Sequence, residues 1–186
     1  MKITHLSAAV LATALVPVSA HGAGWNLLPF QDEDWSADLT LAATGGLMDP
    51  DVEGLDSDTA VGAQFSLNCP WFEPPQGQIR QQFNYTTYDE GSVEIRSLEL
   101  NPHYYMGEGN LTFGFGPGLG YVQVENDAGA DDSMLAGQFS ADLEYRRGRL
   151  FVGAGSRYQW TEGADLGDNG QTVDNWLHQV KLGVNF

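Results

Sequence analysis

The stretch Trp176-Leu-His-Gln-Val-Lys-Leu-Gly-Val-Asn-Phe186 decides the fold. Trp176, His178, Val180, Leu182, Val184 and Phe186 share one side of an extended chain, and Leu177, Gln179, Lys181, Gly183 and Asn185 share the other. A period of two means a strand with one apolar face. The apolar row runs to an aromatic carboxy-terminus, where the chain of a soluble protein usually frays. The tail therefore reads as a membrane strand, and the remaining chain can be tested for the same pattern.

Working back from the tail, seven further stretches alternate. Trp35 to Gly46 sets Trp35, Ala37, Leu39, Leu41 and Ala43 against Ser36, Asp38, Thr40, Ala42 and Thr44. Residues 58–68 place Val61, Ala63, Phe65 and Leu67 on one face, and residues 77–88 do so with Ile79, Phe83, Tyr85 and Thr87. Residues 92–106 are the least regular: Leu98, Leu100, Pro102 and Tyr104 share a face, whereas Val93 and Ile95 have the opposite parity. A β-bulge near Arg96–Ser97 is expected to reconcile the two halves. Residues 111–124 set Leu111, Phe113, Phe115, Leu119 and Tyr121 against a row of Gly114, Gly116, Gly118 and Gly120. Residues 134–145 and 149–161 complete the set. Eight strands, each long enough for a tilted crossing of ~9–11 residues, predict an all-β fold: an eight-stranded antiparallel transmembrane β-barrel wound as an up-and-down meander.

Composition agrees. The chain has 186 residues, 8 Lys+Arg against 25 Asp+Glu, and a formal charge of −17. Nucleic acid is excluded as a partner, since phosphate binding needs a basic surface. A single cysteine, Cys69, rules out an internal disulfide framework. Residues 1–20 read as a signal peptide: Lys2 supplies the charge, Leu6 to Val18 the apolar core, and Val18-Ser-Ala20 the cleavage site. Residues 21–34 form a periplasmic arm whose Trp25, Leu27, Leu28 and Phe30 suit either a membrane-surface anchor or a disordered leader. Residues 35–186 are the barrel. Loops 47–57, 126–133 and 162–172 are long and acidic, whereas turns 107–110 and 146–149 are short. Long external loops and short periplasmic turns are the outer-membrane arrangement, although loop 89–91 is short for an external loop and 69–76 long for a periplasmic turn.

The direction of the two faces follows from aromatics and charges. Trp35, Trp71, Phe72, Tyr104, Tyr145 and Phe186 fall at one end of the strands, and Tyr121, Tyr158, Trp160 and Trp176 at the other, as two girdles around a lipid belt. The opposite face carries Asp38, Arg80, Glu99, His103, Asp142, Glu144, Arg157 and Lys181. A basic residue at the bilayer midplane costs about 2–4 kcal/mol, so this face is expected to point inward. There acids and bases pair and plug a lumen just wide enough for side chains.

At this point the chain resembles the small eight-stranded outer-membrane proteins, the group of the OmpX-like proteins and the OmpA transmembrane domain. The resemblance rests on the terminal Val180-x-Leu182-x-Val184-x-Phe186, with Trp176 opening the strand, and on the Gly114–Tyr121 strand. It implies that the tail is the signal read by the barrel-assembly machinery, and that the protein resides among lipid and lipopolysaccharide in the outer membrane of a Gram-negative bacterium. Pro117 within a strand departs from the simplest pattern.

Chemical sites are sparse, and no cofactor is expected. Asp49, Asp51 and Glu53, followed by Gly54, partly match a calcium loop, but Ala60 stands where the last ligand belongs. A solvated acidic loop is the expected reading, and a weak divalent-cation site bridging lipopolysaccharide phosphates is the alternative. His103, Glu99, Ser140 and Asp142 share the inward face, and a Ser/His/acid set would resemble the lipid A-modifying barrel enzymes. Nothing around Ser140 matches a nucleophile motif, so a polar network is the expected role. His178 has outward parity at the upper lipid boundary. Cys69 reads as a bystander or a site of oxidation. Arg146, Arg147 and Arg149 read as a solvated turn or as phosphate contacts. Sequence favours a structural or surface-interaction role through acidic external loops without catalysis. A narrow pore for small solutes and a lipid A-modifying enzyme are the alternatives.

Overall fold

The computed structural model describes residues 24–52, 54–91, 93–126, 131–162 and 172–186. The signal-peptide reading, Glu53 and the middles of two loops lie outside the described residues. The elements are β1 (Asn26–Leu27), a 3-10 turn (Pro29–Gln31), β2 (Thr40–Pro50), β3 (Asp58–Asn68), β4 (Phe72–Glu73), β5 (Gln78–Glu90), β6 (Val93–Glu108), β7 (Leu111–Asn126), β8 (Asp131–Arg147), β9 (Leu150–Thr161) and β10 (Asn175–Asn185). Eight of the strands close into one antiparallel barrel in the order β10-β2-β3-β5-β6-β7-β8-β9. The tail forms the seam. β10 pairs β2 from Asn175↔Pro50 to Asn185↔Thr40, and Asn185 Oδ1 accepts a hydrogen bond of 2.9 Å from Thr40 Oγ1.

Period two governs the wall. Leu41, Phe65, Phe83, Leu98, Leu119, Leu135, Phe139, Val180 and Leu182 all point outward and are exposed in the isolated chain. An apolar surface this large and continuous marks a face that meets something other than water. Tyr158 bridges Trp160 and Trp176 at one rim, with its ring centroid 4.9 Å from that of Trp176, and the exposed His178 stacks on Trp176. The opposite rim carries Trp71, Phe72 and Phe186. These are the two aromatic girdles of a membrane belt.

Three expectations are corrected. The first barrel strand begins at Thr40, not Trp35, because Asp38 adopts φ 42 and breaks the extended run. It also continues to Pro50 instead of entering a loop at Leu47, because β3 and β10 both pair with it there: Leu47 faces out and Met48 is fully buried. Finally, there is no bulge at Arg96–Ser97. β6 holds one register against β5 from Glu90↔Val93 to Gln78↔Tyr105, and Ile95 is buried.

The reversed parity of Val93 and Ile95 has a different cause. β6, β7 and β8 run for 16 to 17 residues, longer than a crossing requires. Beyond the belt the outside of the barrel meets water, so the faces exchange character. Glu94, Arg96, Gln123 and Glu125 point outward, while Ile95, Val122, Val124 and Met134 point inward. With Met48, Ala60, Tyr88, Ala136, Val173 and Leu177 they form an apolar cluster inside the end of the barrel away from Phe186.

The arm folds at the opposite end. β1 pairs β4 through Asn26↔Glu73 and Leu27↔Phe72, and Leu28 N–H donates to Trp71 O at 2.9 Å. Residues 24–34 and the β3–β5 connection thus make a small flap beside the barrel mouth. The connection is long because it supplies β4.

Candidate functional site

Most polar and charged side chains of the inward face are buried, with Asp38 and Arg146 partly exposed at one mouth. At the mouth near the flap, Arg80 anchors the packing. Its Nη1 lies 2.8 Å from Asp38 Oδ2 and donates to Asn68 Oδ1 at 2.6 Å, and its Nη2 donates to Thr40 Oγ1 at 3.1 Å. Asp38 sits at the rim with its side chain 40 % exposed and also meets Arg146 Nη1 at 3.3 Å. Arg146 reaches inward to Glu144 at 2.6 Å, and Tyr105 donates to Glu144 Oε1 at 2.7 Å. Arg146 is therefore a lumen residue, not part of a solvated turn. Its parity, shared with Asp142 and Glu144, is the signal that could have revealed it.

Asp142 occupies the middle. Its Oδ1 accepts from Lys181 Nζ at 2.7 Å, and its Oδ2 lies 2.9 Å from His103 Nδ1 and 3.1 Å from Gln82 Nε2. Lys181 Nζ also donates to Gln64 Oε1 at 2.7 Å. One step further along the axis, Glu99 meets the Arg157 guanidinium and accepts from Gln138 at 3.0 Å and Asn101 at 3.2 Å. Arg157 donates to Asn175 Oδ1 at 2.7 Å. The structure thus brings Asp38, Arg80, Glu99, His103, Asp142, Glu144, Arg157 and Lys181 into the lumen, together with Tyr105, Gln64, Gln82 and Gln138, neutral groups that charge pairing alone could not single out.

Glycine makes this density possible. A Cβ at Gly114 would overlap the Tyr105 ring, one at Gly118 the Asn101 amide, and one at Gly120 would stand 2.8 Å from Gln159 Nε2. On β9, the Lys181 stem crosses Gly153, whose Cβ would lie 3.4 Å from Lys181 Cδ. Close packing leaves a space of about 10 Å3 among Gln82, Asn101, Ser140, Asp142 and Lys181, the size of one water at most.

Ser140, His103 and Asp142 do stand in sequence. Ser140 Oγ is 2.7 Å from His103 Nε2, and His103 Nδ1 is 2.9 Å from Asp142. That order matches a nucleophile, base and orienting acid. Three features set it apart from a working triad. The Nδ1 contact is an ion-pair distance without hydrogen-bond alignment, Lys181 competes for the same carboxylate, and the neighbouring space cannot admit a substrate carbonyl.

Other candidates lie apart from the lumen. Asp49 is outward on β2 and accepts from Ser57 Oγ at 2.8 Å, while Asp51 N–H donates to Asp174 O. Among the described residues no group of three or more His, Cys, Asp or Glu side chains is placed to hold a metal ion. Cys69 is buried and free, with Gln81 Nε2 3.4 Å from its sulfur. Trp176, Val180, Leu182, Val184 and Phe186 all face outward from β10.

A closed eight-stranded barrel with an apolar belt, two aromatic rims and a polar interior defines the fold of the small outer-membrane β-barrels. Solved structures share it. Neisserial surface protein A aligns with a TM-score of 0.54 at 13% identity, covering 79% of this chain and 95% of that one. Ail, the attachment invasion locus protein of Yersinia pestis, aligns at 0.50 and 13% identity over 82% of this chain and all of its own. A second Ail structure, in complex with the heparin analogue sucrose octasulfate, gives 0.51 at the same identity and coverage. No protein-family model matches the sequence. No curated protein matches it either.

Proposed function

We propose that this protein resides in the outer membrane as a plugged barrel whose role is structural or surface-interactive, exerted through acidic external loops without catalysis. The observation that carries this reading is the filled lumen. From Arg80 through Asp142 to Arg157 the cross-section is occupied by buried, mutually bonded side chains, and the apolar cluster around Met48, Ile95 and Leu177 lies beyond them. A permeating ion would have to displace paired charges and then cross an apolar constriction.

Charge distribution points to the loops. Arg80, Arg146, Arg157 and Lys181 are held inside, so half of the chain's 8 basic residues do not face outward. Among the described residues the outer end carries Asp49, Asp51, Asp56 and Asp58 in one connection, Asp89, Glu90 and Glu94 in the next, then Glu125, Asp131 and Asp132, and Glu162 and Asp174. Against these stands Arg96, already paired with Glu94 at 2.5 Å. Such a surface repels polyanions at low salt. One Ail structure holds a polysulfated ligand, but the loops here suit cationic partners, or lipopolysaccharide phosphates bridged by divalent cations.

Single-channel recording of the purified protein in planar bilayers tests the plug. A silent bilayer is expected, and reproducible ion-sized steps would replace this reading with a narrow pore. The Ser140–His103–Asp142 geometry is checked by mass spectrometry of lipid A from cells with and without the protein. A changed lipid A spectrum would make the protein an enzyme.

A further inference from the structure

On the outer wall, next to the flap, lies an apolar groove of about 480 Å3. Trp71 and Phe72 overhang it from the β3–β5 connection, and Leu100, Pro102, Pro117 and Leu119 form its wall. The rest of the belt is convex, so a lipid chain there touches protein on one side. Here two walls converge, giving the concave, largely apolar shape of a small-molecule site within the usual ~300–1,000 Å3.

Two local features build it. The register that pairs Leu100 with Leu119 and Tyr104 with Phe115 sets Pro102 opposite Pro117, and the ladder between those pairs is interrupted. Proline has no N–H to donate, so this patch of wall presents rings in place of paired strands. On β5, Gln81 has outward parity yet is only 8 % exposed, because the connection covers it and Cys69 Sγ accepts from its amide. A polar side chain facing lipid is thereby satisfied beneath the flap.

The groove opens into the belt through Leu100 and Leu119, so its occupant comes from the bilayer. It lies at the end bearing the short turns and the carboxy-terminus, which is the periplasmic end of an outer-membrane barrel, where the leaflet is phospholipid. A second, polar recess shares Cys69, Phe72 and Ile79 with the groove and is lined by Asp32, Asp34 and Glu73. Asn26 Nδ2 donates to Asp32 at 2.7 Å and to Glu73 at 3.2 Å, so the two carboxylates are drawn together. Carboxylates at that position repel an anionic headgroup and attract an ammonium.

We infer that the groove between Trp71–Phe72 and the Pro102–Pro117 wall binds one acyl chain of an aminophospholipid from the periplasmic leaflet, with the headgroup ammonium towards Asp32, Asp34 and Glu73. The flap is the lipid-binding element, and the plugged lumen takes no part.

Native mass spectrometry of the full mature chain, released from nanodiscs of equal dioleoyl-phosphatidylethanolamine and dioleoyl-phosphatidylglycerol, tests the assignment. The wild type is expected to retain one phosphatidylethanolamine at collision energies that strip other lipid. Trp71→Ala with Phe72→Ala should lower retention about tenfold or more. Leu119→Trp, which fills the groove from an already lipid-facing position, should do the same with the flap intact. Leu135→Ala with Val180→Ala, on the belt away from the groove, should change nothing. Asp32→Asn with Glu73→Gln should keep the lipid but erase the headgroup preference. Retention by the two groove variants equal to wild type would overturn the site, and equal retention of both lipids by the wild type would overturn the headgroup assignment.

Discussion

Lys181 Nζ and Asp142 Oδ1 meet at 2.7 Å across β9, both fully enclosed. Two charges out of water are tolerable only together: removing one leaves the other buried and unpaired, at a cost of about 3–5 kcal/mol. Lys181→Met and Asp142→Leu are each expected to lower the urea midpoint of the folded barrel in detergent by an amount in that range. The double variant should recover much of the loss. Additive effects in the cycle would mean that the pair is not coupled.

Gly118 faces the Asn101 amide with no space for a side chain. Gly118→Val should therefore destabilise by about 1–3 kcal/mol through overpacking, read as a smaller heat-modifiable folded fraction on gels. Gly45, whose Cβ would meet nothing within 4 Å, is the control, and Gly45→Ala should fold as wild type.

Depth in the bilayer grades the outward face. Val180→Arg, in the middle of the belt, is expected to cost about 2–4 kcal/mol of folding free energy in vesicles, whereas Trp176→Arg at the rim should cost about 0–1. Equal penalties at the two positions would contradict the placement of the belt.

Deleting Phe186, or replacing Val184 with Asp, should reduce assembly into the outer membrane of living cells while refolding into detergent changes less. The two assays separate recognition of the tail during assembly from the stability of the seam, where Phe186 N–H donates to Leu39 O at 2.9 Å. Normal cellular assembly of both variants would remove the tail's signalling role.

Met48→Ala opens a void in the apolar cluster at the end away from Phe186. A cost of about 2–5 kcal/mol is expected, with no channel activity, because the charged packing from Arg80 to Arg157 remains. Conductance in this variant would identify the apolar cluster as the barrier.

Most of the barrel was legible because strand period, aromatic rims and inward charges all report one thing, the contrast between lipid outside and a polar interior. Leu119, Lys181 and Asp142 could be oriented from parity alone. Ile95 could not. Where the wall leaves the bilayer the contrast reverses, so a correct rule applied past its boundary produced a bulge that does not exist. The flap was hidden for another reason: β1 and β4 are two residues each, too short for any period, and pair across the whole length of β2 and β3. Arg146 was misplaced because three arginines in four positions read as a turn, although Arg146 kept the inward parity of β8. The Ser140–His103 contact depends on the stagger between β6 and β8, which the sequence of neither strand encodes.

The exchange of polarity along β7 also sets a dimension. From Leu111 to Tyr121 the outward face is apolar, and from Gln123 it is polar. That stretch rises about 34 Å along the strand, and a tilt of about 40° projects it to about 25 Å along the barrel axis. The hydrocarbon it matches is thinner than the ~30 Å of an average bilayer. Thick, sterol-like or long-chain membranes would have to compress around this wall, so the polarity boundary acts as a gauge that matches the barrel to a thin membrane.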